Sequence, residues 1–484
     1  MSTNSFLWLL VVTFFLCIAA RLLYNVYFHP LSKFPGPTLW AMTRLCFVTS
    51  LVRGDLHLKI KDFHDRYGTV IRVAPNELSF IEGSAWQDMY TGHNKNKGFP
   101  KNAVVFGAQQ FRSILDGSEE DHTRMRKILA HAFSNQALNR QEGLLHRYID
   151  ILLRKLGDVV ESGQSINIVE WYNWLSFDLT GELAFSESFD QLEQKAYHPW
   201  VKMIVGHLKY SALSIGLRYY SPLNELMPYI TPRHLHRLKW SFVTMSREKV
   251  LRRLARPESK TLDDILGACL SPDSGEPMMT MEELIGTFTF LIVAGSETTA
   301  TVLAGVTNYI CRNPKVFQRL KDEVRAIKSE KQITITSTAT MPYLNAVIKE
   351  GMRMCYPIPG ALTRVVPRGG RLVSGHFIPE GTLVGIPQFA AHYCDVNFEN
   401  PYEFIPERWT QILDDDSRSI FQPFAIGGRN CIGQNLAWAE MRLVLARVVY
   451  NFDLEPADDL CWLDQKSYYL WEKEPFLVRV SKRS

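Results

Sequence analysis

The chain has 484 residues, 46% of them hydrophobic, with 54 Lys and Arg against 50 Asp and Glu. That length and apolar content allow a large buried core and exclude a disordered chain. The net charge of +4 is too small for this length to argue for a nucleic-acid binder. The eight cysteines at 17, 46, 269, 311, 355, 394, 431 and 461 contain no C-x₂₋₄-C pair, so neither a zinc ribbon nor a dithiol redox motif is present, and scattered thiols fit a reducing compartment.

In chain order, Phe6–Ala20 ("FLWLLVVTFFLCIAA") is almost wholly apolar and is followed by Arg21 and "LLYNVYF". This is long enough to cross a bilayer, and the positive charges after it (Arg21, Lys33, Arg44) predict that the bulk of the protein stays on the cytoplasmic side. A cleaved signal peptide is the alternative, disfavoured by the missing basic n-region and the lack of a small-residue cleavage site before Arg21. "HPLSKFPGP" (29 to 37) then predicts a stiff, extended connector. The expected organisation is an anchor over 1–28, a proline-rich connector over 29–40 and one catalytic domain over 41–484.

"VIRVAPNELSFI" (70 to 81) predicts strand, turn, strand. From about 119 to 350 the three- and four-residue apolar spacing, as in "RYIDILLRKLGDVV" and "VFQRLKDEVRAI", predicts helix. Met281–Arg312 reads as one helix of about 32 residues, roughly 48 Å long, stopped by Asn313-Pro314. Between Glu283 and Arg312 its only charged residue is Glu297, so it is a membrane span or the strut of a large globule, and its polar centre "GSETTATVLAGVTN" favours the strut. "TRVVPRGGRLVSGHFIPEGTLVGI" (363 to 386) predicts hairpins. The fold class is mainly α with one or two small β-sheets (α+β), in a single large domain.

Near the carboxyl end, "FQPFAIGGRNCIGQNLAWAE" (421 to 440) sets Cys431 in a glycine-rich loop at the start of a predicted helix from Ile432. Free N–H groups and the dipole there favour a thiolate, which is a metal ligand. Gly427, Gly428 and Gly433 allow close backbone approach, and Arg429 is a cation with no acidic partner in its own loop. A planar, metal-bearing cofactor with acidic side groups fits.

"FAIGGRNCIG" (424 to 433) matches, at Phe424, Gly427, Arg429, Cys431 and Gly433, the haem-binding signature F-x-x-G-x-R-x-C-x-G, and on these residues the chain resembles the cytochrome P-450 monooxygenases. "EGMR" (Glu350, Arg353) resembles the family's E-x-x-R, and "PERW" its P-E-R-F/W, whose arginine, here Arg408, completes a buried charge network. "AGSETT" (294 to 299) resembles the oxygen-activation element, which implies Thr298 and Glu297 as proton donor and relay; a Thr in an apolar helix also commonly caps its own backbone carbonyl. Arg126 and His122 stand where the family has W-x-x-x-R on a haem propionate, with His122 in the tryptophan's place and a solvated helix residue as its alternative. Arg364 and Arg429 match the family's other propionate cations.

The resemblance spans the chain from anchor to last helix, and "YFHPLSKFPGP", "HAFS" and "PERW" look most like fungal microsomal members that decorate secondary metabolites. It implies haem b held by Cys431, and insertion of one oxygen atom of O2 into a small apolar substrate such as a terpenoid, polyketide or alkaloid. Phe106, Phe111, Ala294, Ile358 and Leu362 are expected to line the pocket. No flavin or nicotinamide segment is legible, so the implied electron donor is a membrane-bound NADPH–cytochrome reductase, with cytochrome b5 as an optional second donor. Arg124, Lys127 and the Cys431 loop could dock it or be a solvated face. The implied location is the endoplasmic reticulum membrane, single-pass. The alternatives are a haem-thiolate isomerase or dehydratase that needs no O2, whose kind tends to lack the alcohol kept here as Thr298, and a membrane-tethered haem sensor or carrier.

Overall fold

The structure, a computed structural model, describes residues 3–91, 98–106, 112–220, 225, 229, 233–256, 264–410 and 419–483. The first helix, Thr3–Tyr27, is apolar nearly throughout, and residues 4–21 are exposed. Trp8 is 70% exposed, whereas Asn25, at the other end, is 5% exposed and donates to the Met42 carbonyl at 2.8 Å. The helix is long and apolar enough to cross a membrane, and its last turn is fastened to the globule.

The proline-rich segment after this helix is not an extended connector. It runs through turns closed by Ser32 N–H to His29 O (2.8 Å) and Phe34 N–H to Leu31 O (3.1 Å). Leu31 and Phe34 are buried in the cluster around the first sheet, and Arg72 N–H donates to Pro35 O at 2.7 Å. Burial of two large apolar side chains overrides the stiffness of the prolines.

Val70–Ala74 and Glu77–Phe80 form the expected antiparallel pair about Pro75-Asn76. Both strands are buried on both faces, because the sheet continues: Glu77–Phe80 pairs in parallel with Leu383–Gly385, which pairs antiparallel with Arg364–Val365. Arg371–Val373 and His376–Ile378 make a separate hairpin about Ser374-Gly375, both at positive φ. Two more small sheets close the carboxyl end, Lys466–Tyr468 with Leu470–Glu472, and Leu477–Lys482 between Ser165–Asn167 and Phe452–Pro456. The described residues therefore hold four small sheets where one or two were expected, since strands of three residues give too few periods to register in the sequence.

The central helix is Met281–Arg312 as predicted, opened by a capping box between Thr280 and Glu283 and followed at once by Pro314–Arg325. Most of it is buried in the globule, which makes it the strut and not a membrane span. It packs along Ile168–Phe185, and the two sit in the main core with Asn135–Ser162, Pro342–Met354 and Gln434–Asn451.

Candidate functional site

The loop before Gln434–Asn451 folds back on itself, Cys431 N–H donating to Phe424 O (2.9 Å) and Asn430 N–H to Gly427 O (3.2 Å). Gly427 has φ +80°, and a Cβ there would lie 2.1 Å from the Tyr90 carbonyl oxygen, so glycine is required twice over. Gly433 differs: its φ of −89° suits any residue, and a Cβ would only touch Phe133 at 3.7 Å. Phe424 is half-buried, 6.2 Å from the Trp438 ring.

Cys431 precedes the helix instead of opening it: the helix runs from Gln434 with Gly433 as its N-cap. Its residue surface is open, yet protein surrounds the sulfur, and this burial raises the thiol pKa against the lowering effects of the Gly433 N–H and Arg126. The expected thiolate thus does not follow from helix geometry alone; a coordinated metal ion would deprotonate the thiol.

Around it stand the expected cations. Arg126 places both terminal nitrogens on Asn430, Nη1 on its carbonyl (2.7 Å) and Nη2 on Oδ1 (2.5 Å). Arg429 pairs with Glu119 at the start of helix Glu119–Leu129 (2.9 and 3.1 Å), while its Nη1 is buried without a hydrogen bond. Arg364 is buried under the Tyr90 ring, 4.9 Å from its centre. His122 is no solvated helix residue. It is 4% exposed, and burial, with Arg429, Lys101 and Arg126 nearby, lowers its pKa to about 4, leaving a neutral imidazole.

Lys101 joins this cluster unforeseen, bridged to Arg364 by backbone pairing and lowered to about 7 by burial, Arg429 and Arg364. Nothing in "FPKNAV" marks it, because its neighbours come from three distant segments. An orphaned guanidinium nitrogen and cations that depress one another's pKa fit a cofactor bearing carboxylates. With a soft thiol on the same loop, the donor set suits haem.

Glu350 is fully buried and accepts from Arg353 Nε (3.0 Å) and Nη2 (2.8 Å), Arg408 Nε (3.1 Å), the Ile405 N–H (3.1 Å) and Trp409 Nε1 (2.7 Å). The structure thus brings together Glu350, Arg353 and Arg408, and adds Trp409, the last letter of "PERW". Arg353 also donates to the carbonyls of His392, Pro401 and Glu403, so one side chain ties two segments to the helix Pro342–Met354.

On the central helix, Phe290, Val293, Ala294 and Thr298 are less buried than their neighbours and fall on one face. Phe290 and Val293 pack against the same apolar cluster as Ile432 and Leu436, which follow Cys431 in the chain. The Thr298 hydroxyl donates to the Ala294 carbonyl at 2.7 Å, the backbone cap that was its alternative. The neighbouring Glu297 carboxylate accepts from Lys473 at 2.6 Å. Ile358 and Leu362 are half-buried, and the Leu362 carbonyl accepts from the Tyr90 hydroxyl at 2.8 Å. Phe106 ends the helix Ala103–Phe106; its side chain and all of Phe111 lie outside the described residues. Of the suggested docking cations, Arg124 is engaged by Glu283 and Asp121, and Lys127 is exposed.

The profile of the cytochrome P-450 family matches residues 34–480. Among curated relatives, the cytochrome P-450 monooxygenase astA of Talaromyces wortmannii is 38% identical over 468 residues, covering 96% of this chain and 94% of that protein. Averantin hydroxylase of Dothistroma septosporum is 35% identical over 472 residues, covering 95% and 88%. Versicolorin B desaturase stcL of Emericella nidulans is 35% identical over 475 residues, covering 96% of both chains.

Proposed function

The chain belongs to the cytochrome P-450 family, and on that premise we propose that it hydroxylates or epoxidises a small apolar substrate as a tailoring step in fungal secondary metabolism. The family is one of haem-thiolate oxidoreductases that bind haem b and use O2, a substrate and a redox partner. Relatives named as a hydroxylase and as a desaturase show that outcomes vary among them. The single observation that carries the proposal is the exposed residue Cys431 in a loop beside the cationic cluster of Arg126, Arg364, Arg429 and Lys101.

In this proposal Cys431 would ligate the haem iron and His122, Arg126, Arg364 and Arg429 would hold the propionates, giving Arg429 Nη1 the partner it lacks. A thiolate-bound haem supplies O–O cleavage, a property of that ligand class. Gly427 brings the loop against Tyr90, and Phe424 backs it. Glu350, Arg353 and Arg408 brace the segments on which the loop rests. Thr298 and Glu297 manage the protons, and the half-buried face at Ala294, with Ile358 and Leu362, shapes an apolar pocket.

The helix Thr3–Tyr27 supports anchoring, which we assign to the endoplasmic reticulum membrane with the remainder cytoplasmic. Residues 1–28, 29–40 and 41–484 then serve as anchor, connector and catalytic domain. Electrons come from NADPH–cytochrome reductase, with cytochrome b5 as a second donor. The test is the reduced, carbon-monoxide-treated protein. The thiolate Soret band is expected in the native chain and absent from Cys431→Ala, and a band that survives the substitution refutes the ligand assignment.

A further inference from the structure

A cavity lies between the first sheet, the helix Leu45–Arg53 and the carboxyl-terminal hairpin, with Phe47, His57, Glu77, Ser79, Tyr219 and Tyr469 in its wall. Gly360, Ala361 and Thr363 line it too; they belong to the segment that carries Ile358 and Leu362, so one segment serves both this cavity and the apolar pocket proposed above. Three of its polar groups already have partners. Glu77 is ion-paired with Arg44, the Ser79 hydroxyl is bonded to His64 Nε2 at 2.7 Å, and the Tyr219 hydroxyl accepts from Asn102 Nδ2 at 2.8 Å. Two others do not. His57 is 3% exposed and set edge-on to the Phe389 and Trp471 rings, 5.0 Å from each. Neither of its ring nitrogens makes a regular hydrogen bond, the Gln465 backbone offering only a weak contact. Burial lowers its pKa to about 4, so the ring is neutral and brings one N–H donor and one acceptor to the wall. Tyr469 is the single residue that turns the hairpin, Tyr468 pairing directly with Leu470, and its φ is +74°. That conformation is strained for an aromatic side chain, where a glycine would be free. Its hydroxyl, kept protonated by burial, forms no hydrogen bond among the described residues.

Buried polar groups are ordinarily hydrogen-bonded. Water can meet that need in the free protein, but an apolar ligand that expels the water cannot, whereas a hydroxyl both donates and accepts and so suits an imidazole and a phenol alike. Phe47, Tyr219 and Tyr469 add aromatic faces and edges for a flat ring. We propose that this cavity receives the hydroxyl-bearing end of the substrate, with His57 and Tyr469 as its hydrogen-bond partners, so that the protein selects a phenol over the corresponding hydrocarbon. This rests on the monooxygenase proposal and narrows its small apolar substrate to one with a hydroxylated aromatic ring. It also gives the unusual backbone of Tyr469 a purpose, since the turn sets that side chain in the wall.

The test is equilibrium dialysis of 2-naphthol and of naphthalene against the full-length, haem-loaded protein in bilayer discs, with empty discs as the blank. Naphthalene is the more apolar probe, so transfer from water alone favours it. The native chain is expected to bind 2-naphthol about 5- to 100-fold more tightly than naphthalene. His57→Phe and Tyr469→Phe should each weaken 2-naphthol binding at least about fivefold without weakening that of naphthalene. No preference in the native chain, or a preference that survives His57→Phe or Tyr469→Phe, overturns the proposal. Should His57→Phe fail to fold, Tyr469→Phe, which removes one oxygen atom, decides by the same criterion. An absent preference counts against His57 and Tyr469 alone, whereas a missing carbon-monoxide band would remove the monooxygenase proposal and leave the preference measurable.

Discussion

Replacing Glu350 by Gln tests the bracing network with minimal change of shape. Each oxygen of Glu350 serves more than one donor: Oε1 takes Arg353 Nη2, Arg408 Nε and the Ile405 N–H, and Oε2 takes Arg353 Nε and Trp409 Nε1. An amide NH2 at the second position would face two N–H donors, and two buried guanidinium groups would lose their anion. Breaking a buried pair in this way costs about 3–5 kcal/mol. With an unfolding entropy of about 2.1 cal/mol/K per residue, 484 residues give roughly 1 kcal/mol/K, so Tm should fall by about 3–5 °C. The assay is thermal unfolding of the haem-loaded protein followed in the Soret region. Asp62→Asn, which removes the exposed i,i+4 pair with Arg66, is the control and should shift Tm by less than about 1 °C. If the two variants melt together, the buried network does not brace the fold.

Gly427→Ala combines a positive φ with a Cβ pressed on the Tyr90 carbonyl; the cysteine loop should shift, and haem retained after gel filtration should drop well below that of a Gly433→Ala protein, which meets only an ordinary contact with Phe133. His57 is buried edge-on to Phe389 and Trp471 with neither ring nitrogen in a regular hydrogen bond, the Gln465 backbone offering only a weak contact, and burial lowers its pKa to about 4. The unfolded chain then binds the extra proton between about pH 6.5 and 4, so stability falls as pH drops through that window, by at most about 1.4 kcal/mol per unit from this group. His57→Phe should flatten that part of a urea-unfolding series against pH, and an unchanged slope would exonerate the imidazole. Thr298→Ala removes the hydroxyl that bonds Ala294; with a purified reductase and a turned-over substrate, more of the NADPH should be lost to peroxide, by on the order of 100-fold in the coupled rate, and undiminished coupling would remove Thr298 from proton handling.

Local order in the sequence carried the parts that depend on near neighbours. Thirty-two residues at helical spacing between a capping box and Asn-Pro can form little else, and Val70–Phe80 alternates about a turn. The cysteine loop announces itself because its glycines, arginine and thiol act within ten positions. The apolar first helix needs only an uninterrupted apolar run. What tertiary structure alone decided are the partners of buried polar groups and of the short strands. Arg429 finds Glu119 across 310 residues, Arg126 finds Asn430 across 304, and Glu297 finds Lys473 across 176. Lys101 meets Arg364, and Ser165–Asn167 meets Leu477–Arg479, in the same manner. A polar group buried by packing must take whichever partner the chain's return brings within about 3 Å, and no periodicity along the sequence encodes that return.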